Sequence, residues 1–131
     1  MENEHITLAV YGTWRSEDVA YILALDWHSK ADRDATLELT VLVQPKKAGQ
    51  KSWPIKNEAC FRVELVFSGV RNLRLSNFDS CPRQVMGFVI DDIKARGLED
   101  ICYSVEDYEA GVISFLCKTA SIRSVQPKIR T

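Results

Sequence analysis

The stretch CFRVELVFSG, residues 60–69, decides the fold class because its apolar and polar side chains alternate. Successive side chains of an extended strand point to opposite faces, so this alternation buries one set and leaves the other in water. The apolar set is Phe61, Val63, Leu65 and Phe67, and the polar set is Arg62, Glu64 and Ser68. The segment predicts a half-buried β-strand.

The same period of two recurs on both sides of this strand. Upstream it appears in HITLAVYG (5–12), AYILALDWH (20–28) and ATLELTVLVQ (35–44), and downstream in DICYSVED (100–107) and GVISFLCK (111–118). In residues 20–28 the pattern places Tyr21, Leu23, Leu25 and Trp27 on one face. The last two segments, joined by DYEAG, predict a β-hairpin.

Three segments depart from simple alternation. The phase slips after Gly69, which predicts either two strands, 59–68 and 70–76, or one strongly kinked strand. Residues 83–96 fit a helical stripe, but Gly87 would interrupt a helix, so a strand followed by a turn at KARG is favoured. The segment RSEDVA, in which Ser16 is a potential cap, indicates a short helix.

These patterns predict a single mainly β domain spanning residues 1–131. We expect an antiparallel β-sandwich or curved sheet of seven to eight strands with at most one short helix, or an α+β fold if 83–96 is helical. The chain is 46% hydrophobic and 27% charged, which is ordinary for a globular protein. A chain of this size buries roughly two-thirds of its unfolded surface.

Cysteine spacing and the N-terminal residues predict a cytoplasmic protein. Cys60, Cys81, Cys102 and Cys117 form no Cys-x-x-Cys motif. Three of the four lie in apolar, strand-like segments, so we expect buried, inert thiols. The opening residues MENEHITLAV lack the basic region of a secretory signal peptide. The longest apolar runs are far shorter than the roughly 20 residues that a membrane helix needs, so no membrane partner is expected.

Asp26 and His28 form the one candidate for metal or acid–base chemistry. They are two residues apart on a predicted strand, so both project from one face, where a carboxylate can orient an imidazole or both can bind a metal. Only one other histidine, His5, occurs, and the polar residues that follow are typical of a turn. The sequence therefore favours an exposed hairpin, with the metal site as the alternative.

Other chemistry finds little support in the sequence. Gly-x-Ser-x-Gly, P-loop and dinucleotide-binding motifs do not occur, so no catalytic residue and no cofactor is predicted. The lysines and tryptophan of the loop 44–58 could contact nucleic acid. However, the net charge of −1 and the acidic segment 91–109 oppose binding to a phosphate backbone.

The segment 91–109 is the candidate surface for a protein partner. It carries seven acidic residues and two basic ones, a net charge of −5, together with Tyr103 and Tyr108. Aromatic anchors surrounded by steering charge are typical of protein interfaces, although Tyr103 alternates with apolar neighbours and belongs to the predicted core. The predicted partner-binding residues are Asp100, Glu106, Asp107, Tyr108 and Glu109.

Residues 59–122 also carry a resemblance. The segments FSGVRNLRL (67–75), GFVIDD (87–92) and VEDYEAGVISFLC (105–117) resemble those of small β-rich bacterial immunity proteins from polymorphic-toxin systems, and of related proteins of unknown function. The resemblance implies a non-enzymatic cytoplasmic protein that neutralises a cognate toxin by binding it. It assigns no catalytic or binding residue.

The sequence therefore predicts a protein-binding domain, with an immunity-type toxin inhibitor as its specific form. The alternative is a small-molecule-binding protein or metal-dependent enzyme that uses Asp26 and His28. A third interpretation is a subunit whose β edge pairs with a second copy of itself.

Overall fold

One long strand organises the sheet. In the computed structural model, which describes residues 15–29, 35–45, 54, 59–76, 78 and 80–129, β3 runs from Ala59–Leu75. Its first part pairs with one strand on each side, and its last part pairs with a different strand. The sequence left open two strands or one kinked strand, and the structure shows a single strand with Gly69 at φ 64°.

The described residues form eight strands and two short 3₁₀ turns, and no α-helix. The strands are β1 (Val19–His28), β2 (Ala35–Val43), β3, β4 (Arg83–Gln84), β5 (Phe88–Asp92), β6 (Tyr103–Asp107), β7 (Ile113–Cys117) and β8 (Thr119–Ile129). The 3₁₀ turns are Ser16–Asp18 and Lys94–Arg96. This confirms the mainly β prediction and the strand interpretation of 83–96, with KARG as the turn.

All pairings are antiparallel, in the order β4-β1-β2-β3-β7-β6-β5, with β8 paired to β3. Lys118 alone separates β7 from β8, and its backbone N–H donates to the carbonyl of Ser68 at 2.9 Å. β7 and β8 therefore follow each other along the same edge of β3 and pair with successive parts of it. The result is a single curved, open sheet.

The core lies on the inner side of this curved sheet. Phe67 of β3 and Phe115 of β7 meet edge to face, with ring centroids 5.0 Å apart. Around them the inward residues of β2 and β3 (Leu37, Leu39, Val41, Val63 and Leu65) are all at most 1% exposed. Alternation thus predicted the inward face of β2 and β3 correctly, because the two strands pair without a register shift from Thr36 to Val43.

β1 differs from its predicted orientation. Ile22 is fully buried, whereas Tyr21 and Leu23 are only half-buried. The pairing of β1 with β2 shifts register between Ile22 and Ala24, as it does at a β-bulge, and an extra residue reverses the inward phase. The predicted common face of Tyr21, Leu23, Leu25 and Trp27 is therefore wrong in its first half.

Several sequence predictions concern residues outside the described part of the chain. They are the strand at 5–12, the lysines and Trp53 of the loop 44–58, and the turn residues 30–34. β1 and β2 nevertheless pair as an antiparallel hairpin, as predicted for Asp26 and His28. The short helix predicted at RSEDVA is a 3₁₀ turn whose N-cap is Arg15, not Ser16. Within the described ranges, no helix has the length and apolar character to span a bilayer.

Candidate functional site

Tyr108 is the most exposed large aromatic or aliphatic side chain among the described residues. It begins the turn between β6 and β7, and its side chain is 60% exposed. Met86, which precedes β5, is 44% exposed. The two lie at the same end of the sheet, since the Tyr108 N–H donates to the carbonyl of Gly87 at 2.9 Å.

Gly87 forms the floor under Tyr108. A Cβ atom at this position would lie 3.0 Å from Tyr108 Cε1 and 2.7 Å from Glu109 Cγ. Both side chains therefore lie directly against the backbone of Gly87, and this contact requires glycine. Because Cε1 of the ring lies against the Gly87 backbone, one side of Tyr108 is in contact with the protein while most of the side chain stays exposed.

Two exposed carboxylates lie within two residues of Tyr108 in the chain. Glu109 follows Tyr108 directly, and Glu106 lies two residues earlier on β6; both side chains are exposed. We refer to Met86, Glu106, Tyr108 and Glu109 as the tyrosine patch. It combines apolar area with negative charge on a fixed turn.

Asp107 does not belong to this surface, which corrects one predicted partner-binding residue. Its side chain is 1% exposed. One carboxylate oxygen accepts from the Gly87 N–H at 3.0 Å and the other accepts from the Val112 N–H at 3.4 Å. Asp107 thus ties β6 to the segments before β5 and β7, and it supports the floor of the patch instead of meeting a partner.

Asp100 lies apart from the patch. It precedes β6, whereas Tyr108 follows it, and the five residues of β6 span roughly 15–20 Å of extended chain. Its carboxylate lies 3.6 Å from Lys118 Nζ. The predicted set of five residues therefore divides into the patch at one end of β6, the buried Asp107, and the ion-paired Asp100 at the other end.

A second polar group lies on the outer face of β1 and β2. Asp26 pairs directly with Glu38 in the register, and His28 projects from the same face two residues later. His28 Nε2 lies 3.6 Å from Glu38 Oε2. One potential ligand atom from each of Asp26, His28 and Glu38 falls within 4.8 Å of the others.

Arg123 of β8 reaches over β3 and orients Glu38 on β2. Its guanidinium pairs with Glu38 Oε1 and with Glu64 Oε2, the latter at 2.7 Å. The hydrogen bond from Arg123 lowers the pKa of Glu64, and both carboxylates raise the pKa of Arg123. Glu38 therefore presents one oxygen to Arg123 and the other to His28.

Sequence reasoning did not find Glu38 or Arg123 as members of this group. Alternation placed Glu38 and Glu64 on polar faces, but it gives no register between strands. Arg123 lies 85 residues from Glu38, and the two meet only through pairing of β8 with β3 and of β3 with β2.

The cysteines follow their prediction in part. Cys60 and Cys117 are buried, Cys102 is half-buried, and Cys81 is exposed. None of the four takes part in a disulfide. Burial, with a smaller contribution from Cys102, raises the pKa of Cys117 to about 12. Burial is therefore confirmed for Cys60 and Cys117 and is partial for Cys102, whereas Cys81, which lies outside the apolar strand-like segments, is exposed.

Comparison of the chain with models of protein families, with curated proteins and with solved structures finds no match. The geometry of the described residues is thus the ground for the functional proposal.

Proposed function

We propose that this protein is a non-catalytic protein-binding domain that docks onto a basic partner surface through the tyrosine patch. Tyr108 carries the proposal: it is 60% exposed, yet it is seated on the backbone of Gly87. Interface hot spots are enriched in tyrosine, and a ring that is already held loses little conformational entropy on binding.

Charge around the ring defines the partner. Glu106 and Glu109 are exposed beside Tyr108, and no cation within 4 Å pairs with either among the described residues. Further along β5, Asp91 is also exposed. Negative charge of this kind speeds the encounter with a positively charged surface and disfavours acidic competitors.

The specific form of this proposal is an immunity-type inhibitor of a bacterial toxin. Toxins that act on nucleic acid need a basic active site to hold phosphates. An acidic patch with an aromatic anchor complements such a site and blocks entry of the substrate. The resemblance of residues 59–122 to immunity proteins supports the same form.

We further propose a cytoplasmic location. None of the four cysteines takes part in a disulfide, and Cys81 is exposed. Free thiols persist in reducing compartments, whereas extracellular proteins of this size commonly use even numbers of cysteines for disulfides.

The test is affinity capture from lysate of the native organism, followed by binding kinetics with the captured partner. We expect a stoichiometric partner with a basic surface. Tyr108→Ala should weaken binding by roughly 30-fold, the loss typical of a hot-spot residue. The double variant Glu106→Gln and Glu109→Gln should slow association and flatten its dependence on salt.

The matched control removes the same charge elsewhere. Glu17→Gln with Glu99→Gln also neutralises two acids, but both lie outside the tyrosine patch. This control should leave association unchanged. The proposal is wrong if no basic partner is captured, or if Tyr108→Ala binds that partner as tightly as the unmodified chain.

A further inference from the structure

We infer that Asp26, His28 and Glu38 form a binding site for one divalent cation of the zinc class. The site lies on the outer face of the β1–β2 hairpin, outside the tyrosine patch, and it does not depend on the proposed docking function. An imidazole nitrogen together with carboxylate oxygens is a donor set that suits Zn²⁺.

The hairpin register brings the three side chains together. Asp26 and His28 share a face because they are two residues apart on β1, and Glu38 stands directly opposite Asp26 on β2. Two ligands of a tetrahedral zinc ion are separated by roughly 3.3–3.5 Å, since each ligand atom lies about 2.0–2.2 Å from the metal. The 3.6 Å between His28 Nε2 and Glu38 Oε2 is already close to this separation.

The pairing of Asp26 with Glu38 itself points to a cation. Like charges directly opposite each other on neighbouring strands are destabilising. Arg123 offsets Glu38 only in part, because the same guanidinium also pairs with Glu64. Arg62 also acts on Glu64, and among the described residues no lysine or arginine lies within 4 Å of the Asp26 carboxylate. A divalent cation between Asp26 and Glu38 would convert their repulsion into shared coordination.

Arg123 contributes orientation. By holding Glu38 Oε1, it directs Oε2 towards His28, where a metal would bind. Hydrogen bonds that fix a ligating carboxylate are a general feature of metal sites. Three protein ligands leave at least one coordination position for water or another small ligand, as in catalytic rather than structural zinc sites.

Titration calorimetry of the full chain, freed of any affinity tag, tests this site with ZnCl₂ and MgCl₂ as probes. We expect one Zn²⁺ per chain and at least roughly 100-fold weaker binding of Mg²⁺, because Mg²⁺ prefers oxygen ligands. His28→Ala and Asp26→Asn should each lower the affinity for Zn²⁺ by about tenfold or more.

Asp91→Asn is the matched control, since it removes an exposed acid from β5 and should leave Zn²⁺ binding unchanged. Nuclear magnetic resonance of the imidazole nitrogens gives a second readout that does not depend on any variant. The chain has only two histidines, and the signals of His28 should shift with one equivalent of Zn²⁺.

Three results would overturn the site. They are an absence of saturable Zn²⁺ binding, unchanged affinity in His28→Ala, and Mg²⁺ binding as tight as that of Zn²⁺. Any of them would leave His28 and Glu38 as a surface contact without a metal role. Because no variant in this test alters the tyrosine patch, its failure would not affect the proposed docking function.

Discussion

Asp107 shows how one buried carboxylate can support an exposed surface. Its two carboxylate oxygens each accept a hydrogen bond from a backbone N–H group, one from Gly87 and one from Val112. A buried N–H without an acceptor costs about 1–3 kcal/mol. The residue therefore matters through the backbone that it satisfies and not through contact with a partner.

Asp107→Ala should lower the free energy of unfolding by about 2–3 kcal/mol, because two buried N–H groups lose their acceptors. Asp107→Asn keeps one acceptor oxygen and should lose less. Urea denaturation followed by tryptophan fluorescence would measure both. Glu106→Ala, an exposed neighbour on β6, should change stability by less than about 0.5 kcal/mol. Equal losses in Asp107→Ala and Glu106→Ala would contradict this role.

At the scale of the element, the bend of β3 begins at a glycine. Gly69 is buried and has φ 64°, between the part of β3 that pairs with β2 and β8 and the part that pairs with β7. A side chain in this left-handed region costs roughly 1–2 kcal/mol. The phase slip in the sequence begins at this position and extends to Asn72, which has a φ of 57° where the pairing with β7 shifts register.

Gly69→Ala should therefore destabilise the protein by roughly 2 kcal/mol or more. The matched control is Gly97→Ala, which has a similar φ of 69° but lies in an exposed turn with open space around its Cβ position. It should lose only the roughly 1–2 kcal/mol of the left-handed backbone. Thermal or urea denaturation of the two variants would compare them. Equal losses of stability in Gly97→Ala and Gly69→Ala would mean that Gly69 matters only for its left-handed φ and that burial at the bend adds no further requirement for glycine.

Prediction from sequence succeeded where strands are regular and failed where pairing is irregular. The period of two in β2 and β3 gave the correct inward residues. In β1, however, the bulge makes Ile22 the inward residue instead of the predicted Leu23. The candidate site was predicted as one surface because its residues are close in sequence, but β6 places Asp100 and Tyr108 at opposite ends of a strand. A bulge, a buried acid and a contact across strands all depend on register, which a single strand does not encode.

At the scale of the whole molecule, β3 joins two parts of the sheet that share one core. Its first part pairs with β2 and β8, and its last part pairs with β7, which continues to β6 and β5. Neither part can separate without breaking β3 or the contact between Phe67 and Phe115. The fold should therefore open as one cooperative unit.

Two buried cysteines report on this cooperativity, one in each part. Cys60 lies near the start of β3, and Cys117 ends β7; they are 1% and 0% exposed. With the pKa of Cys117 at about 12, that thiol stays protonated at pH 8 while the protein is folded, and a protonated thiol is a poor nucleophile. Its labelling by a thiol reagent then requires opening of the core.

In the double variant Cys81→Ser and Cys102→Ser, we expect Cys60 and Cys117 to be labelled at the same slow rate under native conditions. Both rates should rise together with added urea, because the same global opening exposes both thiols. Mass spectrometry of peptides would follow each cysteine separately, with the unfolded chain as the reference for intrinsic reactivity. Labelling of Cys60 roughly tenfold or more ahead of Cys117 would mean that the β2–β3–β8 part opens alone, so that β3 does not couple the two parts of the sheet.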